Sequence, residues 1–177
     1  MPLKPSDPLL ASGKILTVLL MALAGIVTVV MVVLIPVILF DHSDFILEAT
    51  QAKGTNTGQI KAASIVVLFL AAIATAFAFQ FFRLLKQIID TVSDDVPFTM
   101  ANAARIRRMG WLALLFQLAS FPIALLANYL DNEGPSANIS TDFGFSLTGY
   151  LLALVLFILA RVFRHGAQMR DDLEGTV

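Results

Sequence analysis

The sequence predicts an all-α membrane protein with four transmembrane helices, on the evidence of its apolar runs, its composition and its charge distribution. Of 177 residues, 58% are hydrophobic and 14% are charged, whereas soluble domains average about 45–50% and about 25%. Four apolar runs occupy residues 15–40, 60–82, 111–130 and 143–160. At about 1.5 Å per residue the first three each cover a hydrocarbon core of about 30 Å, and the fourth is within the usual range. Backbone groups in lipid need partners within their own segment, which favours helices.

Each run has informative ends. The first span is expected to begin after Pro5, Pro8 and Gly13 and to remain in the mature protein, because it is too long for a signal peptide. Apolar residues continue at helical spacing beyond the second run to Val92, which predicts a helix that extends out of the bilayer. Thr99 is the predicted N-cap of a helix that starts near Met100, with Phe98 before it as an apolar staple. The fourth helix is also expected to extend beyond its run.

The lysines and arginines indicate the orientation. Ten lie in the N-terminal tail, in the connection between spans two and three or in the C-terminal tail, and two lie on the other side. Cytoplasmic segments are enriched in these residues, so both termini and the central connection are expected to be cytoplasmic. The prediction is one domain, residues 1–177, folded as an up-down-up-down bundle, with helices two and four extended into the cytoplasm.

The composition argues against several classes of function. No ionisable residue lies in the middle of a span, although ion-coupled transporters and proton pumps need such groups. The chain has no cysteine and no nucleophile–base or phosphate-binding motif. His42, beside Asp41 and Asp44, is a weak metal-ligand set. We therefore expect no catalytic, cofactor-binding or metal-binding residues, and no enzymatic activity.

Two groups of residues leave alternatives open. Gln117 and Ser120 in span three either form hydrogen bonds between helices or bind a substrate, the latter together with the carbonyl that Pro122 frees. The cluster Arg105–Arg108 either attracts anionic headgroups or docks a soluble protein. For Arg105–Arg108, the number of charges alone favours the attraction of anionic headgroups.

Two cytoplasmic segments carry a resemblance. Residues 88–92, 97–99, 102–103 and 105–110, together with the C-terminal segments 159–166 and 171–177, resemble an uncharacterised bacterial family of four-span integral membrane proteins, the YoaS-like proteins. The resemblance implies a Cro/CI-type helix-turn-helix regulator encoded beside the membrane protein. The implied role is to hold or release that regulator at the cytoplasmic face.

The residues expected to contact such a partner are Pro97, Phe98, Thr99, Asn102, Arg105, Arg107, Arg108, Arg164, Asp171 and Asp172. The alternative for Pro97–Thr99 is that the segment only turns the chain and caps the third helix. The expected function is non-enzymatic regulation at the bacterial inner membrane, with lipids and the regulator as partners and no direct contact with nucleic acid. Association of the chain into a homo-oligomer is a further alternative. The rival functions are a small transporter or channel subunit and a scaffold for a membrane complex.

Overall fold

The computed structural model describes residues 8–40, 57–93, 97–133 and 146–174, and these form four helices. Every one contains a segment long and apolar enough to cross a membrane, which confirms the predicted all-helical class. The cytoplasmic location of the termini stays a prediction. The helices are α1 (Pro8–Phe40), α2 (Thr57–Ser93), α3 (Met100–Glu133) and α4 (Leu147–Glu174).

The helices differ from the apolar runs mainly at their ends. The predicted extension of α2 beyond its run is confirmed and reaches Ser93, and the extension of α4 beyond residue 160 and the start of α3 at Met100 are also confirmed. The first helix begins at Pro8, earlier than expected, because proline fits the first helical position, where its missing N–H is not needed. The fourth begins at Leu147 and not at residue 143, since Ser146 is not helical; Phe143 and the His42 set lie outside the described residues.

The chain divides into two compact units, which are described separately. We call the first the basic unit, because it contains nine of the ten lysines and arginines among the described residues; Lys61 lies in the second, which we call the apolar unit. The described parts of the basic unit are residues 8–24, 77–93, 97–114 and 147–174. The described parts of the apolar unit are residues 25–40, 57–76, 115–133 and 146.

The basic unit has a packed hydrophobic core drawn from α2, α3 and α4. Its buried members are Leu84, Ile106, Met109, Leu156 and Ala160. The first three lie outside the apolar runs, so this core includes the parts of α2 and α3 that extend beyond the predicted membrane segments. For the three members outside the runs, removal of each side chain from water stabilises the core by about 1.5–3 kcal/mol.

A glycine allows α3 and α4 to approach closely in the same unit. A Cβ atom on Gly110 would lie 3.0 Å from the Phe157 ring. That ring also packs edge-on against Trp111, with centroids 5.5 Å apart. The two contacts fix the pairing of α3 with α4 next to the core.

The apolar unit is joined by a hydrogen bond between threonines. The Thr28 hydroxyl of α1 donates to Thr75 Oγ1 of α2 at 2.9 Å, and Thr75 donates in turn to backbone carbonyls of its own helix. Such bonds between membrane helices contribute about 0.6 kcal/mol on average. Ala72 and Ala74 are buried beside Thr75, as expected of small residues where helices pack.

Candidate partner-binding surface of the basic unit

The turn between α2 and α3 is built on a helix cap. The backbone N–H of Asn102 donates to Thr99 Oγ1 at 3.1 Å, which confirms the predicted N-cap. The N–H of Ala103 donates to the Thr99 carbonyl, also at 3.1 Å, and the N–H of Thr99 donates to the Pro97 carbonyl at 3.2 Å. The segment Pro97–Thr99 therefore turns the chain and caps α3, and its contact with a partner stays a prediction.

Asn102 holds this turn from the inside. Its side chain is fully buried, and its amide nitrogen donates to Thr91 Oγ1 at 2.8 Å and to the Pro97 carbonyl at 2.9 Å. Its amide oxygen accepts a bond of 2.7 Å from the Arg105 guanidinium. The side chain thus joins the end of α2, the turn and α3. Because its side chain is enclosed, Asn102 supports the turn from within; its contact with a partner stays a prediction.

Phe98 lies on the outside of the same turn. Its ring packs on Phe163 of α4, with centroids 5.1 Å apart, and a Cβ atom on Gly166 would lie only 2.9 Å from it. The residue nevertheless remains 44% exposed. One side of the ring is therefore seated on α4 and the other is available. We call Phe163 and Gly166 the Phe98 seat.

The other predicted contact residues differ in their surroundings. Pro97, Thr99 and Arg105 are half-buried, and Arg105 is held by Asn102. Arg164 is exposed and lies next to the Phe98 seat in the sequence of α4. Contacts described above thus bring Pro97, Phe98, Thr99, Asn102 and Arg105 together. Exposed residues outside those contacts are Arg107, Arg108, Asp171 and Asp172.

An ion pair ties α1 to the extended end of α2. The Lys14 ammonium lies 2.7 Å from Asp90 Oδ1, and the Lys86 ammonium lies 3.2 Å from Asp90 Oδ2. No sequence pattern predicts this contact. Asp90 is the only acidic residue between Glu48 and Asp94, which was the available signal. Its partner on α1, Lys14, could not be predicted because the pairing depends on how the helices pack.

The polar pair in span three belongs to the apolar unit. Gln117 and Ser120 are both buried, and the Ser120 hydroxyl donates to the Gln117 carbonyl of the same helix at 2.7 Å. Pro122 lies within α3 half a turn further on. The hydrogen of the Ser120 hydroxyl is therefore used within α3, as serine hydroxyls in helices commonly are.

Four helices long and apolar enough to cross a membrane define a four-helix membrane protein whose helices contact lipid. Residues 46–177 match the family model described as "Protein of unknown function (DUF2975)", and the chain belongs to that family. No curated protein matches the chain. No solved structure matches it either.

Proposed function

We propose that this protein is a non-enzymatic component of the bacterial inner membrane that holds a small helix-turn-helix transcription regulator at its cytoplasmic face. One observation carries the proposal: Phe98 is a half-exposed aromatic ring on a turn that is fixed by hydrogen bonds from the buried side chain of Asn102. The class of partner comes from the resemblance of the two cytoplasmic segments. The cytoplasmic side comes from the distribution of lysine and arginine.

A fixed aromatic ring suits protein binding for an energetic reason. Aromatic and arginine side chains provide most of the binding energy in typical protein interfaces. Binding also costs the entropy of ordering loops and side chains, so a turn that is already ordered loses less on association. The bonds of Asn102 and the Phe98 seat provide that order here.

Exposed charges of the basic unit would select the partner. Arg107, Arg108 and Arg164 are exposed and basic, whereas Asp171 and Asp172 are exposed and acidic on the last turns of α4. A partner with the opposite arrangement would be steered to this surface, because complementary charge raises association rates and disfavours wrong partners.

We expect Phe98→Ala to weaken regulator binding by about 30-fold, since losing a well-placed aromatic anchor costs about 2 kcal/mol. The measurement is crosslinking from native membranes through a photoreactive residue in segment 97–108, followed by recovery of a helix-turn-helix protein. Phe121→Ala is the matched control, because Phe121 is likewise an exposed phenylalanine but lies on α3 in the apolar unit.

A charge reversal tests the same surface independently. Arg107→Glu is expected to reduce crosslinking as well, whereas Lys61→Glu, at the other end of the membrane segments, leaves it unchanged. If Phe98→Ala and Arg107→Glu both leave recovery of the regulator unchanged, the proposal is wrong. If crosslinking recovers other membrane proteins but no DNA-binding protein, the result favours the rival function of a scaffold for a membrane complex.

The buried pair Gln117 and Ser120 supports the rival function, a small transporter or channel subunit that binds an apolar or weakly polar molecule between its helices. The two proposals separate by mutation. If Gln117→Leu abolishes uptake of a solute while Phe98→Ala changes neither uptake nor partner binding, the transporter is the better account.

A further inference from the structure

The exposed side of α4 changes from apolar to cationic within about two turns. A groove of about 610 Å³ opens on this side. Arg161, Arg164 and His165 line it, and within the described part of the chain their side chains form no ion pair or hydrogen bond with one another or with other residues. The remaining lining residues are Ile158, Val162 and Gln168.

The apolar part of this side continues toward the start of the helix. Leu147, Leu151, Leu154 and Ile158 are all exposed. At about 100° per residue they lie on the same side of α4 as Arg161 and His165. Arg161 directly follows Ala160, the last residue of the fourth apolar run. An exposed apolar stripe therefore ends in a cationic groove at the point where the helix is expected to leave the hydrocarbon.

We propose that this groove binds the phosphodiester headgroup of an anionic phospholipid, whose acyl chains lie along the apolar stripe. A guanidinium binds phosphate oxygens with two parallel hydrogen bonds, and the neighbouring side chains of His165 and Gln168 supply further donors. Two arginines without a carboxylate partner among the described residues favour a headgroup with net negative charge over a zwitterionic one.

The groove shares Arg164 with the surface in the proposed function, but its other lining residues are not among the expected partner contacts. The Phe98 seat, Phe163 and Gly166, lies about 150° around α4 from the centre of the groove. A lipid in the groove would leave the exposed side of Phe98 open. The lipid site can therefore be tested through Arg161, which is not among the expected partner contacts.

The test is native mass spectrometry of the full chain released from nanodiscs that contain phosphatidylglycerol and phosphatidylcholine. The expected result is retention of phosphatidylglycerol. Arg161→Gln should lower that retention about fivefold and Arg161→Glu about thirtyfold, given the usual effect of one charge near an anionic membrane surface. Millimolar inorganic phosphate should not displace the lipid, because it cannot occupy the apolar stripe.

Arg83→Glu is the matched control, because Arg83 is also exposed and also directly follows an apolar run. It should retain phosphatidylglycerol like the unchanged protein. Equal losses in the Arg83 and Arg161 variants would mean general attraction of lipid and overturn the proposal. Equal retention of the two lipids, or displacement by inorganic phosphate, would also overturn it.

Discussion

Asn102→Ala is expected to destabilise the basic unit by about 3 kcal/mol, the largest effect of any single polar substitution considered. The substitution removes three side-chain hydrogen bonds, and it leaves the Pro97 carbonyl and the Thr91 hydroxyl without that donor in a partly buried place. Thermal unfolding in detergent micelles measures the loss of stability. Hydrogen exchange at residues 97–103 should rise in parallel.

Asn132→Ala provides the control for this substitution. Asn132 is also an asparagine on α3, but its amide makes an exposed bond to the Asn128 carbonyl, and exposed bonds of this kind contribute little. Its effect should remain within about 0.5 kcal/mol. If the two variants unfold alike, Asn102 does not hold the turn.

Gly166→Leu is expected to displace Phe98 from its seat and to lower regulator binding at least as much as Phe98→Ala. A Cβ atom at residue 166 would already lie 2.9 Å from the Phe98 ring, so a larger side chain must occupy the space of the ring. The change in position can be followed by hydrogen exchange of the turn, and the change in binding by the crosslinking assay.

A second glycine separates this effect from helix propensity. Gly13 lies in the interior of α1, and no atom of the described residues is within 4 Å of an added Cβ atom there. Gly13→Ala should therefore stabilise the helix by about 0.8–1 kcal/mol without altering binding. If Gly166→Leu leaves both exchange at the turn and regulator binding unchanged, the Phe98 seat has no functional role.

The helices could be predicted from the sequence because a membrane helix is recognised by the mean hydropathy of one contiguous segment of about 20 residues. The extension of α2 and the start of α3 at Met100 were also predictable, since helical spacing and the cap at Thr99 are local patterns. Helix ends were less predictable. The apolar run of α1 starts at Ile15, but the helix starts at Pro8, because less hydrophobic residues continue it.

The candidate surface was only partly predictable for a different reason. The sequence identified Phe98 and Asn102, but it did not indicate that Asn102 is fully buried or that Phe98 rests on Gly166. Both facts depend on how α2, α3 and α4 pack in the basic unit. The same holds for the ion pair of Lys14 with Asp90, whose residues are 76 positions apart. Contacts between distant segments leave no local pattern in the sequence.

The central claim is that the basic unit faces the cytoplasm, and the chain is suited to a direct test because it has no cysteine. Arg108→Cys and Asn132→Cys place one thiol at exposed positions near the two ends of α3. A membrane-impermeant maleimide applied to intact spheroplasts should label the Asn132→Cys protein alone, and both proteins after permeabilisation. Labelling of the Arg108→Cys protein in intact spheroplasts would contradict the orientation, and a cytoplasmic regulator could then not reach the surface around Phe98.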